Sequence, residues 1–414
     1  MKNHDIVIIG GGPAGMAAAV AAFDSGVRDV VIIDREDNLG GVLKQCIHNG
    51  FGLHKLGKEL TGPEYAHVYA QQVRERGIKV YSGTTVTRIT SDKTVTATNT
   101  DGILKIQAKA VVLAMGCRER SRGALNISGT RPAGVYSAGT AQKLINCDGY
   151  MVGKRVVILG SGDIGLIMAR RMTLQGAKVE AVCEILPYSG GLTRNIVQCL
   201  EDYGIPLHLS TTVAEIHGSE RLEGVTIARV DQNRAPIEST QRYIPCDTLL
   251  LSCGLIPENE LTLNAGIELD KVTGGAVVDQ FRQTSVDGVF ACGNVLQVHD
   301  LVDHVSDEAE CAGASAAKYV LGNSSECGRI ITCAGEGVRY VLPQRVLLSG
   351  EQVSLYLRVR EPQTGVKLVV KSGERIIKTF PRLKAAPGEM EKLDIPMSLL
   401  SDADKTLTVS MEVQ

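Results

Sequence analysis

The stretch Ile6-Val7-Ile8-Ile9-Gly10-Gly11-Gly12-Pro13-Ala14-Gly15 decides how this chain is read. Four apolar residues make a short buried strand, glycines spaced G-x-G-x-x-G follow at once, and an alanine-rich helix runs from Met16 to Phe23. Gly10 makes the tight turn, Gly12 lets the backbone approach a pyrophosphate, and Gly15 lets helix and strand pack closely. The helix start adds free N–H groups and partial positive charge. After Gly26 a second strand, Val30-Val31-Ile32-Ile33, ends at Asp34, nineteen residues past Gly15. A carboxylate there can accept hydrogen bonds from a ribose diol. A lone glycine motif could be an ordinary turn; strand, helix and acid together point to a dinucleotide.

About 150 residues later the pattern returns. Val156-Val157-Ile158-Leu159 precedes Gly160-Ser161-Gly162-Asp163-Ile164-Gly165, a helix runs through Gln175, and Val179 to Cys183 leads to Glu184, again nineteen residues past the last glycine. This acid favours the 2′-hydroxyl of NAD over the 2′-phosphate of NADP, and no basic cluster follows it. Both units predict parallel sheets covered by helices. Three more apolar strands run into glycine: Ala110 to Gly116, Thr248 to Gly254, and Gly288-Val289-Phe290-Ala291-Cys292-Gly293-Asn294. Ser306 to Leu321 reads as a helix.

From about Gly328 the period changes to two. Val353, Leu355, Leu357 and Val359 alternate with Ser354, Tyr356, Arg358 and Arg360, and Leu407, Val409, Met411 and Val413 alternate with polar residues. Short alternating runs between Pro/Gly turns predict antiparallel strands in a small β-sandwich.

Composition bounds the function. The 414 residues exceed one compact core, and 44% hydrophobic with 22% charged residues exclude wholesale disorder. Forty-four Lys and Arg against 46 Asp and Glu give no basic field for nucleic acid or an anionic membrane. No apolar run is long enough to insert directly into a membrane, and the run after Met1 is too short for a signal-peptide core. Eleven scattered Cys without metal-ligand spacing fit reduced thiols, so a cytoplasmic location and no metal site are expected.

Taken together, the two Rossmann units, Ala114-x-Gly116, the similar turn at Gly254, and Thr284 followed by Gly288 to Asn294 resemble the pyridine nucleotide–disulfide oxidoreductase class of two-dinucleotide flavoproteins, over roughly residues 1–325. The resemblance implies an α/β fold with an FAD domain (1–118 and 270–326) interrupted by an NAD domain (119–269), with the β-sandwich at 328–414 appended. It implies FAD contacts at Gly10, Gly12, Pro13, Ala14, Gly15, Asp34, Arg35, Gly40, Gly41, Val42, Val86, Ala114, Gly116, Gly293 and Asn294. A helix begun near Val302 would face the flavin. Nicotinamide nucleotide contacts would fall at Gly160, Gly162, Asp163, Ile164, Gly165, Glu184 and Gly254. The family usually has Asp where this chain has Asn294.

The departures are equally informative. Relatives resembling glutathione reductase carry a cysteine pair where this chain has Leu43 and His48. Those resembling thioredoxin reductase carry C-x-x-C before the second Rossmann strand, and Gly134 to Thr140 has none. A dithiol relay is therefore not expected. Gln45-Cys46-Ile47-His48-Asn49-Gly50-Phe51-Gly52 narrows the resemblance to FAD/NAD oxidoreductases that accompany glycerol-3-phosphate dehydrogenases or multi-subunit amine-oxidising flavoenzymes. Cys46 and His48 are the catalytic candidates, with packing as the competing reading. His299, Asp300, Asp303 and His304 read as helix-capping residues rather than metal ligands, and Cys327 with Cys333 lacks a second pair for a cluster. The expected activity is hydride transfer between NAD(H) and FAD, with electrons exchanged with a partner flavoprotein dehydrogenase, an iron–sulfur subunit or a small acceptor, in an oligomer. The alternatives are a stand-alone NADH oxidase using O2, membership in an amine- or hydroxy-acid-oxidising complex, and a structural or regulatory role.

Overall fold

The computed structural model describes residues 1–322 and 328–413. Cys327 and the expected boundary at 326 lie outside the described residues. The chain divides into two compact units, Met1–Cys117 with Pro257–Gln414, and Arg118–Ile256.

In the first unit, parallel strands run in the order Lys79–Tyr81, Val30–Ile33, Lys2–Ile9 and Gly102–Leu113. The long strand Gly102–Leu113 forks. Its last residues pair in parallel with Val289–Ala291, and its first half pairs antiparallel with Thr94–Asn99, which pairs in turn with Thr85–Ile89. All four residues of Val30–Ile33 are buried, because both faces of the sheet are covered. Ile6, Ile8, Val30 and Ile32 pack with the helices Pro13–Asp24 and Val302–Val320, while Val7, Val31 and Ile33 share a core with Ile267, Val278 and Leu296. The second of these helices starts at Val302, within the range 302–306 that the sequence and the resemblance imply for it.

The second unit carries five parallel strands in the order Val135–Ser137, Thr248–Leu251, Arg155–Leu159, Lys178–Cys183 and Leu207–His208. A four-stranded sheet ending in Arg242–Pro245 accompanies it. Residues 257–269, placed in the inserted domain by the sequence, lie instead in the first unit: Leu261, Ala265, Ile267 and Leu269 join that unit's core.

The C-terminal region is a sandwich of a five-stranded and a three-stranded sheet around Val353, Leu355, Leu357, Val366, Leu368, Leu393 and Val409. The expectation of a wholly antiparallel sandwich needs one correction. The first strand, Arg329–Ala334, runs parallel to the last, Thr406–Val413, and the rest of the sandwich serves as the long crossover that a parallel pair requires. The sandwich belongs to the first unit. Leu342 enters the core beneath the dinucleotide sheet, and Gln280 exchanges two hydrogen bonds with Leu347, through its Nε2 (2.7 Å) and Oε1 (2.8 Å).

Candidate functional sites: two glycine loops

The same hydrogen-bond logic builds both loops. Gly10 N donates to Ile33 O at 2.9 Å, and Ala114 N donates to Ile9 O at 2.9 Å. Gly160 N donates to Cys183 O at 2.7 Å, and Ser252 N donates to Leu159 O at 2.7 Å. Gly10 and Gly160 have φ of +105° and +100°, and a Cβ on either would strike the carbonyl oxygen of Ala114 or Ser252. Glycine is therefore required at both for conformation and for space. The correspondence makes Ser252-Cys253-Gly254 the second unit's version of Ala114-Met115-Gly116.

Gly12 and Gly162 cap the helices Pro13–Asp24 and Asp163–Leu174 with no side-chain acceptor on the first-turn amides. A Cβ on Gly12 would meet only Gly41 Cα, at 4.0 Å, and one on Gly162 only Ser252 Oγ, at 3.8 Å. Each loop therefore leaves side-chain-sized space in front of uncapped amides, which fits a pyrophosphate.

The two acids pin their loops. Asp34 is buried and accepts hydrogen bonds from Gly11 N and from Glu36 N (2.8 Å). Glu184 is buried and accepts from Ser161 N (2.9 Å), Ser161 Oγ (2.7 Å) and Leu186 N (3.0 Å). Each carboxylate thus ties a glycine turn to the end of the adjoining strand, where the sequence places a ribose. Arg35 is exposed beside Asp34, and Val42 is 58% exposed after the positive-φ pair Gly40-Gly41. Val86 packs partly buried against the strand core. Asp163 is committed elsewhere, to Leu192 N (2.8 Å) and Asn195 Nδ2 (2.7 Å), and Ile164 packs against the second unit's core. A cavity of about 480 Å³ opens beside the loop after Asp34, between it and the helix Gly62–Glu75, and no residue of the glycine loop lines it.

Gly293 and Asn294 belong to one network, while Val302, the first residue of its helix, packs partly buried against the first unit's core. Gly293 N donates to Glu308 Oε2 at 2.9 Å; Glu308 also takes Arg282 Nε (3.2 Å) and Gln297 Nε2 (3.1 Å), and lies 3.4 Å from His299 Nε2. Arg282, Glu308 and the His299 side chain are 4%, 2% and 1% exposed, so this charge pair is sealed from water. Burial pushes the His299 pKa below its ordinary value despite the carboxylate beside it, which keeps the ring neutral. Asn294 Oδ1 accepts from His299 N (3.1 Å), and Asn294 Nδ2 donates to Cys117 Sγ (3.5 Å).

The end of the Cys46–Gly52 segment, and the residues after it, are held by the first turns of Val302–Val320. Asp303 accepts from Gly52 N (3.0 Å), His54 N (2.9 Å) and Lys55 N (3.3 Å), while Lys55 Nζ lies 2.6 Å from Asp307 and from Glu310. Cys46 Sγ donates to Val42 O at 3.4 Å, and the His48 ring lies 5.0 Å from Phe51. Asp300, Asp303 and His304 are engaged in ion pairs and backbone contacts; no group of three or more metal-ligand side chains converges among the described residues. The ten described cysteines form no disulfide, and burial pushes the thiols of Cys183 and Cys246 up to about 12 and that of Cys253 up to about 11.

Three residues escaped the sequence reading. Ser252 Oγ is buried without a hydrogen-bond partner beside the second loop. Its signal was available in the parallel with Ala114. Glu308 stands among Val305, Ala309 and Ala312 on the apolar side of a helix, a placement that marks a buried acid in need of partners. Arg282, its partner, carries no sequence signal.

Two such loops in two Rossmann-type units define the two-dinucleotide-domain fold. The chain belongs to the pyridine nucleotide-disulphide oxidoreductase family, which its residues 4–316 match. That family is one of FAD-dependent, NAD(P)-linked oxidoreductases. It is 27% identical to one of the subunits of the opine oxidase of Agrobacterium tumefaciens, over 76% of this chain and 63% of that protein, so it spans under two thirds of that relative's length. It is 25% identical to thioredoxin reductase of Listeria monocytogenes, over 77% of this chain and 94% of the relative. Among solved structures, T. acidophilum thioredoxin reductase superposes with a TM-score of 0.64 at 26% identity, over 77% of this chain and 99% of that one. No helix among the described residues is long and apolar enough to cross a membrane.

Proposed function

We propose that the chain binds FAD in the loop Gly10–Gly15 and NAD(H) in the loop Gly160–Gly165, and that hydride passes between them. The observation that supports this reading best is the repeated geometry of a glycine turn clasped by a buried acid, Asp34 in one unit and Glu184 in the other. Bound FAD supplies the hydride-accepting ring. The chain's own residues do the rest: uncapped helix amides take the two pyrophosphates, and Asp34 and Glu184 read the riboses. Glu184, with its charge held beside Ser161, disfavours a 2′-phosphate, so NADH is the preferred donor.

Turnover would also need an electron acceptor or donor, and no disulfide-forming pair is present among the described residues. Leu43 and His48 stand where the resemblance would put a dithiol, and the buried thiols of Cys183 and Cys246 and the half-buried thiol of Cys253 stay protonated at neutral pH. Electrons therefore go to, or come from, a partner dehydrogenase resembling glycerol-3-phosphate dehydrogenase, an iron–sulfur subunit or a small acceptor. Cys46 and His48, beside the flavin in this reading, are the residues that would meet it. The opine oxidase relative is one component of a larger enzyme, which supports the second reading of membership in an amine- or hydroxy-acid-oxidising complex.

The test is anaerobic titration of the purified, flavin-loaded chain with NADH and with NADPH. Bleaching of the flavin by NADH at a rate well above that with NADPH is expected. A chain that takes up no flavin, or whose flavin neither nucleotide reduces, overturns the proposal.

A further inference from the structure

The strand Gln352–Val359 does two jobs. Val353, Leu355, Leu357 and Val359 fill the sandwich core, as their alternation predicts. The opposite face, read in the sequence as the polar side of a sandwich strand, carries Tyr356 and Arg358 onto the dinucleotide-binding part of the same unit. The Tyr356 ring centre lies 5.4 Å from the guanidinium carbon of the buried Arg282. Arg358 Nη2 donates to Val298 O at 3.0 Å and lies 3.7 Å from Asp300 Oδ1, while its Nη1 donates to Pro387 O at 2.9 Å. Met390 N adds a bond to Asp300 Oδ2 at 3.1 Å. The Arg358 and Asp300 side chains are 12% and 7% exposed. Burial alone would raise the Asp300 pKa, but His304 and Arg358 hold it below the ordinary value, so the clamp stays charged.

Residues 298–300 lie between Asn294 and Val302, the two positions that the cofactor reading sets against the flavin. On the inner side this connection is fixed by Glu308, through Gly293, Gln297 and His299. On the outer side, Arg358 and Met390 hold it. Asp300 comes two residues before the first residue of the helix Val302–Val320, so Arg358 and Met390 bear on the connection that leads into that helix.

We propose that Arg358 is a positioning residue for the flavin, and that the C-terminal sandwich is thereby a working part of the flavin site rather than a detachable interaction module. The inference rests on the reading of the first glycine loop as an FAD site. Were this helix start to face the ring, as the family resemblance implies, it would favour the negative charge that reduction places there, and a displaced helix start would weaken that preference. Arginine suits the place because separate nitrogens of one planar fork reach Pro387 O and Val298 O while the second also faces Asp300, a spread that one ammonium nitrogen matches less well.

The experiment compares the unmodified full chain with Arg358→Met, Arg358→Lys and Lys378→Ala. The last removes a cation whose Nζ donates to Asp394 O inside the sandwich, at 2.8 Å. Measured are the flavin midpoint potential, the FAD dissociation constant, NADH kinetics, and hydrogen exchange across residues 293–304. Arg358→Met is expected to favour reduced over oxidised flavin about tenfold less, which for a two-electron couple is a potential about 30 mV more negative. Its kcat should fall with KM for NADH unchanged, exchange across 293–304 should rise, and Arg358→Lys should fall between. Lys378→Ala should leave the potential unmoved. A folded Arg358→Met with an unchanged potential overturns the proposal even if exchange rises, because the clamp is then structural only. If Arg358→Met does not fold, the same criterion applies to Arg358→Lys. An unmodified chain that binds no FAD overturns the cofactor reading and this role with it, and the exchange data then show separately whether Arg358 holds the segment.

Discussion

Glu308 Oε2 accepts the backbone N–H of Gly293, at 2.9 Å, while the same carboxylate faces Arg282 in a nearly water-free interior. A turn that the family resemblance assigns to flavin binding is thus fixed by a charge fifteen residues away in sequence, and that charge is held by a cation from a third segment.

Breaking that pair should be expensive. Arg282→Met leaves an uncompensated buried carboxylate and is expected to cost about 3–5 kcal/mol, seen as a large fall in Tm. The double variant Arg282→Met, Glu308→Leu should recover much of that loss, because no lone charge remains. It should still bind FAD more weakly than the unmodified chain, since Gly293 N loses its acceptor. Equal stability of the single and double variants would contradict this account.

Gly12→Asp should abolish flavin binding. The new side chain would occupy the space in front of the uncapped amides of Pro13–Asp24 and place a negative charge where a pyrophosphate must come. Visible flavin absorbance of the purified protein reads the result, and a fully yellow variant sinks the assignment.

Glu184→Gln should narrow the discrimination between NADH and NADPH. A charged hydrogen bond is worth roughly 1.5–3 kcal/mol, or about ten- to a hundredfold in relative kcat/KM. Because Glu184 also holds Ser161 and Leu186, some loss of affinity for both nucleotides is expected as well. Unchanged discrimination would exclude Glu184 as its source.

Ser252→Ala should weaken nicotinamide nucleotide binding without touching flavin content. Its hydroxyl is buried, unpartnered, and beside Gly162. Stopped-flow binding of NADH compares the two proteins; equal dissociation constants would make the hydroxyl a packing feature.

The Asp300–His304 pair sets a pH window for stability. Asp300 lies below its ordinary 3.8, so its contribution is present above that value and is lost as pH falls through the lower folded one. His304 is raised above 6.5, chiefly by Asp300, with Asp303 and Asp307 also facing it and burial opposing. Its contribution is present below 6.5 and is lost as pH rises through the higher folded value. His299 has the opposite sign: buried neutral, it costs stability as pH falls below 6.5. The difference in Tm between the unmodified chain and His304→Asn should therefore shrink as pH rises past 6.5. A difference constant from pH 5 to 8 would refute the linkage.

The sequence by itself determined both glycine loops and the acids that follow them. These features are local. A glycine needed for φ near +100°, an apolar strand of four and an acid at the next strand's end are fixed by neighbours within about thirty residues. Period two likewise marked the sandwich core at Val353 to Val359. The partners of the outward residues were decided only by the tertiary structure. Tyr356 and Arg358 alternate as any solvated strand face would, and nothing local tells water from a second domain. Arg282 meets Glu308, Arg358 meets Asp300, and Leu261 to Leu269 joins the first unit's core because burial leaves each charge and each apolar surface one satisfactory place to go. That choice depends on which segments the folded chain brings together, and no spacing in the sequence records it.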